Sequence, residues 1–195
     1  MAADRQVTVS PWNIANAITV LRILMVPLFA WIFLMDGTAA RLWTAVIFVV
    51  AALTDRLDGY LARSRGLITN LGKILDPIAD KSLVVAALVL LSMDGLVPWW
   101  VTILIIVREL GITILRFFLI RRAVMAASKG GKIKTTLQMV FIVGMLVPWT
   151  AILPGALAAF FVYTTIVVMY LAVAVTVVTG LQYVLDAQRI ARGAS

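Results

Sequence analysis

The chain contains no cysteine and no histidine. Without thiols it has no disulfide framework, no thiolate metal site and no cysteine nucleophile. Without imidazole it lacks the side chain that most often serves as a general base near neutral pH. Charge is scarce as well: Asp, Glu, Lys and Arg make up 13% of 195 residues, and only nine of them are acidic. Chemistry must therefore come from carboxylates, lysine, arginine, hydroxyls or a bound metal ion. The opening MAADRQVTVSPWN has neither the basic start nor the small-residue cleavage site of a signal peptide. The first hydrophobic segment is therefore expected to be retained.

What is abundant is apolar sequence. Hydrophobic residues are 63% of the chain, whereas soluble domains average about 45–50% apolar and about 25% charged. They come in blocks of roughly twenty, enough for a helix to cross about 30 Å of hydrocarbon. These features predict an all-α integral membrane protein of six transmembrane helices, with a polar active-site cavity facing the cytoplasm. The spans fall at about 17–35, 42–64, 70–93, 97–122, 133–153 and 157–185, and residues 1–195 form a single membrane domain. Turn chemistry marks breaks at 35–37, 93–98 and 153–155; the breaks near Ser64–Asn70 and Arg121–Lys134 are basic.

Of 17 lysines and arginines, only Arg41 lies at the first set of breaks. That bias places both termini and the basic loops in the cytoplasm. It also accounts for the net charge of +8 without a nucleic-acid partner. A basic cytoplasmic face attracts anionic membrane lipids and phosphorylated substrates. At the start of the first span, Asn13, Asn16, Thr19 and Arg22 recur every third residue. This stripe either lies along the cytoplasmic interface before the chain turns to cross at Pro27, or is a polar start to the first span.

Four of the nine acidic residues fall within Asp55–Asp80. A carboxylate in a membrane segment costs several kcal/mol unless paired, hydrated or metal-bound, and four together need cations. At helical spacing Asp55, Asp58 and Ala62 share one face of the second span, beside Gly59; Gly72, Asp76 and Asp80 repeat every four residues on the third. A short connection makes these spans antiparallel neighbours, so the carboxylates are expected to converge near the cytoplasmic surface. Such hard oxygen ligands select Mg²⁺, Mn²⁺ or Ca²⁺, and two such ions could neutralise a diphosphate. Gly59, Ala62 and Gly72 leave helix walls bare for a nucleotide, although small residues also serve helix packing.

The string D-R-L-D-G-Y-L-A-R-(x8)-G-K-I-L-D-P-I-A-D, from Asp55 to Asp80, resembles the full signature of the CDP-alcohol phosphotransferases. The resemblance implies that Asp55, Asp58 and Asp76 ligate two divalent ions, Mg²⁺ or Mn²⁺, holding the CDP diphosphate. It implies that Asp80 is the general base and lies near a metal, and that Gly59, Ala62, Arg63 and Gly72 line the CDP pocket. The reaction implied is attack of an alcohol on the β-phosphorus of a CDP-lipid, with CMP leaving. The resemblance also implies a homodimer.

The acceptor alcohol is read from basic residues. Arg108, Glu109 and Arg116 lie within the fourth span, and Lys132 and Lys134 open the fifth. Arg108 and Arg116 are about two turns apart on nearly one face, whereas Glu109 is not at a helical neighbour position of Arg108 and is free to support an arginine elsewhere. The basic residues are expected near the aspartates, suiting a second anionic substrate. The stretches N-I-A-N-A-I-T-V-L-R-I-L-M-V-P, R-E-L-G-I-T-I-L-R and A-S-K-G-G-K-I-K-T-T-L-Q resemble the actinobacterial branch of the family that makes phosphatidylglycerophosphate. That implies CDP-diacylglycerol and sn-glycerol 3-phosphate as substrates, with Arg108, Arg116, Lys132 and Lys134 on the glycerol phosphate, in a bacterial inner (plasma) membrane. Inositol phosphate, serine or phosphatidylglycerol as acceptor, or a cation- or proton-coupled transporter, are the competing readings.

Overall fold

The computed structural model describes residues 14–64, 70–119 and 129–193; the side chains of 55–77, 80 and 115–130, and a few near the two ends, lie outside that description. The described residues form seven helices and no strand: α1 (Ile14–Phe33), α2 (Thr38–Ser64), α3 (Asn70–Met93), α4 (Trp99–Leu119), α5 (Lys129–Leu146), α6 (Trp149–Ile152) and α7 (Gly155–Gly193). Within α7, the 32 residues Gly155–Asp186 are long and apolar enough to cross a membrane. Shorter apolar helical stretches run over Ala17–Phe33, Thr38–Thr54 and Lys81–Met93.

Two glycine-bearing breaks follow directly from local chemistry. Gly37 and Gly95 adopt φ of +104° and +74°, a region that costs other residues more than glycine. After α3, Leu96 N–H donates back to the Leu91 carbonyl at 2.9 Å, the six-to-one bond that closes a helix C-terminus. Pro98 then opens α4, its carbonyl accepting from Val101 at 3.0 Å.

The expected fifth span is divided. Instead of running unbroken over 133–153, α5 stops at Leu146 and a single turn, α6, follows Pro148. Proline has no N–H to give the preceding turn, and its ring crowds the carbonyl four residues back. The Trp149 indole N–H donates to the Gly144 carbonyl at 2.8 Å, and its ring stacks on Phe161 with centroids 4.4 Å apart. The last helix also runs to Gly193, past the expected end near residue 185.

The chain forms two compact units, residues 1–86 and 87–195, dividing within α3. In the first, α1 packs on α2, and Phe29 lies 6.0 Å from Phe48 and 6.3 Å from Phe33 between ring centroids. Thr19 and Arg22 are each only 2% exposed, whereas Val20, Leu21 and Leu24 face outward. A polar face turned in and an apolar face turned out is the arrangement that suits a lipid surrounding. α1 is one continuous helix through Pro27. Asn13 and the Asn16 side chain lie outside the described residues.

In the second unit, α7 packs along α4, α5 and α6. A Cβ placed on Gly144 of α5 would come within 2.5 Å of Thr165 Oγ1 on α7, so glycine sets how closely those helices approach. Ser92 and Thr102 hydroxyls, both buried, lie 2.6 Å apart and tie the end of α3 to α4.

Candidate active site

Asp55, Asp58, Gly59, Ala62 and Arg63 all fall in the last three turns of α2, and Gly72, Asp76 and Asp80 in the first three turns of α3. Both stretches are helical, so each aspartate pair is separated by about one turn. All eight belong to the unit of residues 1–86. Their side chains, and that of Arg116, lie outside the described residues. Among the described residues no group of three acidic side chains could hold a metal ion. All-oxygen donors such as carboxylates are what hard divalent cations take.

The basic residues are described more fully. Lys134 on α5 is only 3% exposed. Its ammonium donates to Glu109 Oε1 on α4, which also accepts from Arg108 Nη1 at 3.2 Å. Arg108 Nη2 in turn donates to Thr179 Oγ1 on α7 at 3.0 Å, and the Tyr183 ring centroid lies 5.8 Å from the guanidinium carbon. The buried Arg108 Nε–H has no hydrogen-bond acceptor among the described residues. Buried Gln138 follows Lys134 by one turn of α5.

Among the described residues, Arg108, Lys134 and Glu109 therefore share a largely dry site. Charges withdrawn from water persist only when paired and hydrogen-bonded. Cationic N–H donors gathered in one place suit an anion with several acceptor oxygens, such as a phosphate.

The site differs from its sequence expectation in four respects. Glu109 does pair with the adjacent Arg108, although neighbours on a helix diverge by about 100°, because both long side chains bend toward one place. Its second partner is a lysine, Lys134, rather than another arginine. Lys132 is exposed while Lys134 is buried, since residues two apart on a helix face nearly opposite ways. Thr179 and Tyr183 were not anticipated. Their signal was present: Thr176, Thr179 and Tyr183, at i, i+3 and i+7 on an apolar helix, are all buried.

The chain matches the family described as CDP-alcohol phosphatidyltransferase over residues 12–181. It is 47% identical over 180 residues to the probable phosphatidylglycerophosphate synthase of Mycobacterium tuberculosis (strain H37Rv), covering 91% of this chain and 82% of that protein. It is 39% identical over 185 residues to the CDP-diacylglycerol–glycerol-3-phosphate 3-phosphatidyltransferase of Bacillus subtilis (strain 168), covering 88% and 93%. With the enzyme of the same name from Escherichia coli (strain K12), identity is 40% over 141 residues, covering 69% and 77%.

Proposed function

Since the chain belongs to the CDP-alcohol phosphatidyltransferase family, we propose that it transfers the phosphatidyl group of CDP-diacylglycerol to sn-glycerol 3-phosphate, giving phosphatidylglycerophosphate and CMP. The observation that carries this reading is the likeness, along 91% of the chain, to a relative named for that product. The Arg108–Glu109–Lys134 cluster supports the phosphorylated acceptor. The reading extends to a six-span enzyme of the bacterial inner membrane, a homodimer, with both termini and its active site facing the cytoplasm.

Asp55, Asp58, Asp76 and Asp80 would hold two divalent ions, Mg²⁺ or Mn²⁺. Bound there, the ions would supply positive charge to the diphosphate and to the departing CMP. Asp80 takes the proton from an acceptor hydroxyl, whose oxygen then bonds to the β-phosphorus as the bond to CMP breaks. Gly59, Ala62, Arg63 and Gly72 line the CDP pocket, where small residues admit the nucleotide to the helix backbone. Arg108, Arg116, Lys132 and Lys134 bind the acceptor's phosphate, with buried Lys134 and Arg108 the principal anchors.

The test is CMP release by the purified protein with CDP-diacylglycerol, a divalent metal and each of glycerol 3-phosphate, inositol phosphate, serine and phosphatidylglycerol. Turnover with glycerol 3-phosphate far above the others supports the reading. Preference for another acceptor would move the protein within its family. No CMP with any acceptor, together with metal-dependent ion flux in vesicles, would make it a transporter.

A further inference from the structure

The proposed acceptor site is tied to α7, the helix whose sequence carries the least obvious chemistry. The Thr179 hydroxyl donates to the Val175 carbonyl at 2.7 Å, so its oxygen meets Arg108 Nη2 at 3.0 Å purely as an acceptor. Thr179 is buried, and in such surroundings an arginine N–H without an acceptor pays the full cost of its lost hydration. On its other side the same guanidinium is held through Nη1 by Glu109. Tyr183, about one turn beyond Thr179, packs its ring near the guanidinium carbon. A planar group fixed at two of its three nitrogens by different helices keeps one orientation.

We propose that Thr179 is a positioning residue for Arg108, fixing the plane in which the guanidinium presents its remaining N–H groups to the phosphate of the acceptor. Arginine recognises phosphate through a rigid fork of donors, so a tilt of that plane weakens binding even with the charge intact. Thr179 does not touch substrate; it acts through Arg108. The inference rests on the glycerol 3-phosphate reading given above.

Thr179→Val keeps the shape of the side chain and removes the acceptor, whereas Thr179→Ser keeps the acceptor. Thr164→Val, which removes an exposed hydroxyl bonded back to Phe160 on the same helix, is the matched control. Thr179→Val is expected to raise KM for glycerol 3-phosphate about tenfold, the scale of one hydrogen bond to a charged group. Its kcat and its KM for CDP-diacylglycerol should stay within about twofold, and Thr179→Ser should restore most of the loss. The second readout needs no turnover: the rise in melting temperature that glycerol 3-phosphate gives the solubilised full chain should shrink in Thr179→Val and return in Thr179→Ser. Equal acceptor KM in the Val and Ser variants would overturn the proposal, as would parallel losses for both substrates. If Thr179→Val does not melt cooperatively, Thr179→Ala against Thr179→Ser makes the same comparison. A wild-type protein that does not use glycerol 3-phosphate would sink the functional reading itself, seen without any variant.

Discussion

Asp80 differs from the other three aspartates of the motif in what its loss should do. As the proposed base it moves a proton at the acceptor hydroxyl, so Asp80→Asn should lower kcat by at least about a hundredfold. CDP-diacylglycerol should still bind, which equilibrium binding to the metal-loaded variant would show. Asp58→Asn removes a proposed metal ligand, so it should weaken binding of the CDP-lipid and raise the metal concentration needed for activity. Glu109 has a third role. Its carboxylate accepts from both Arg108 and Lys134, and removing one member of a largely buried ionic cluster is destabilising, by about 3 kcal/mol at most here. Glu109→Leu should therefore lower the melting temperature of the solubilised protein well beyond Lys132→Ala. For the acceptor, Lys134→Ala should raise KM for glycerol 3-phosphate more than Lys132→Ala, since Lys134 is buried in the cluster and Lys132 is exposed.

At the scale of the helix, α5 and α7 approach closely at Gly144. An added Cβ at Gly144 would meet Thr165 Cγ2 at 2.7 Å as well as its hydroxyl, so Gly144→Val must push the helices apart or strain both side chains. Overpacking of this kind costs about 1–3 kcal/mol; a melting curve of the variant should shift down, and Thr165→Ala in the same chain should recover part of the loss. Helix order was legible from the sequence because hydrophobic blocks and turn residues coincide: Gly37 and Gly95 sit at expected breaks with positive φ. The break before α6 was not. Pro148 is surrounded by apolar residues, so hydropathy runs straight through it, and only its missing N–H divides the helix. Likewise the acidic motif could be read along one string. The Arg108–Thr179 contact could not, because it joins residues 71 positions apart, and no local spacing announces which of several buried threonines an arginine will reach.

At the scale of the whole molecule, polar residues such as Thr19, Arg22 and Lys134 are buried while many large apolar side chains are exposed. The distribution of lysine and arginine then sets the proposed orientation. The absence of cysteine makes that orientation directly measurable, since any introduced thiol is unique. Asp36→Cys and Asp94→Cys should react with a membrane-impermeant maleimide in intact cells whose outer membrane is permeable to it. Ser195→Cys should react only after the inner membrane is opened. The reverse pattern would invert the protein and place its basic loops outside.

The central claim is that a hydroxyl oxygen of glycerol 3-phosphate bonds to the β-phosphorus of CDP-diacylglycerol and displaces CMP. It is tested most directly with glycerol 3-phosphate carrying heavy oxygen in its hydroxyl groups, the products being weighed by mass spectrometry. The account predicts phosphatidylglycerophosphate that retains the full label and CMP that carries none. Label in CMP, or a lipid product that has lost the label from its bridging oxygen, would contradict it.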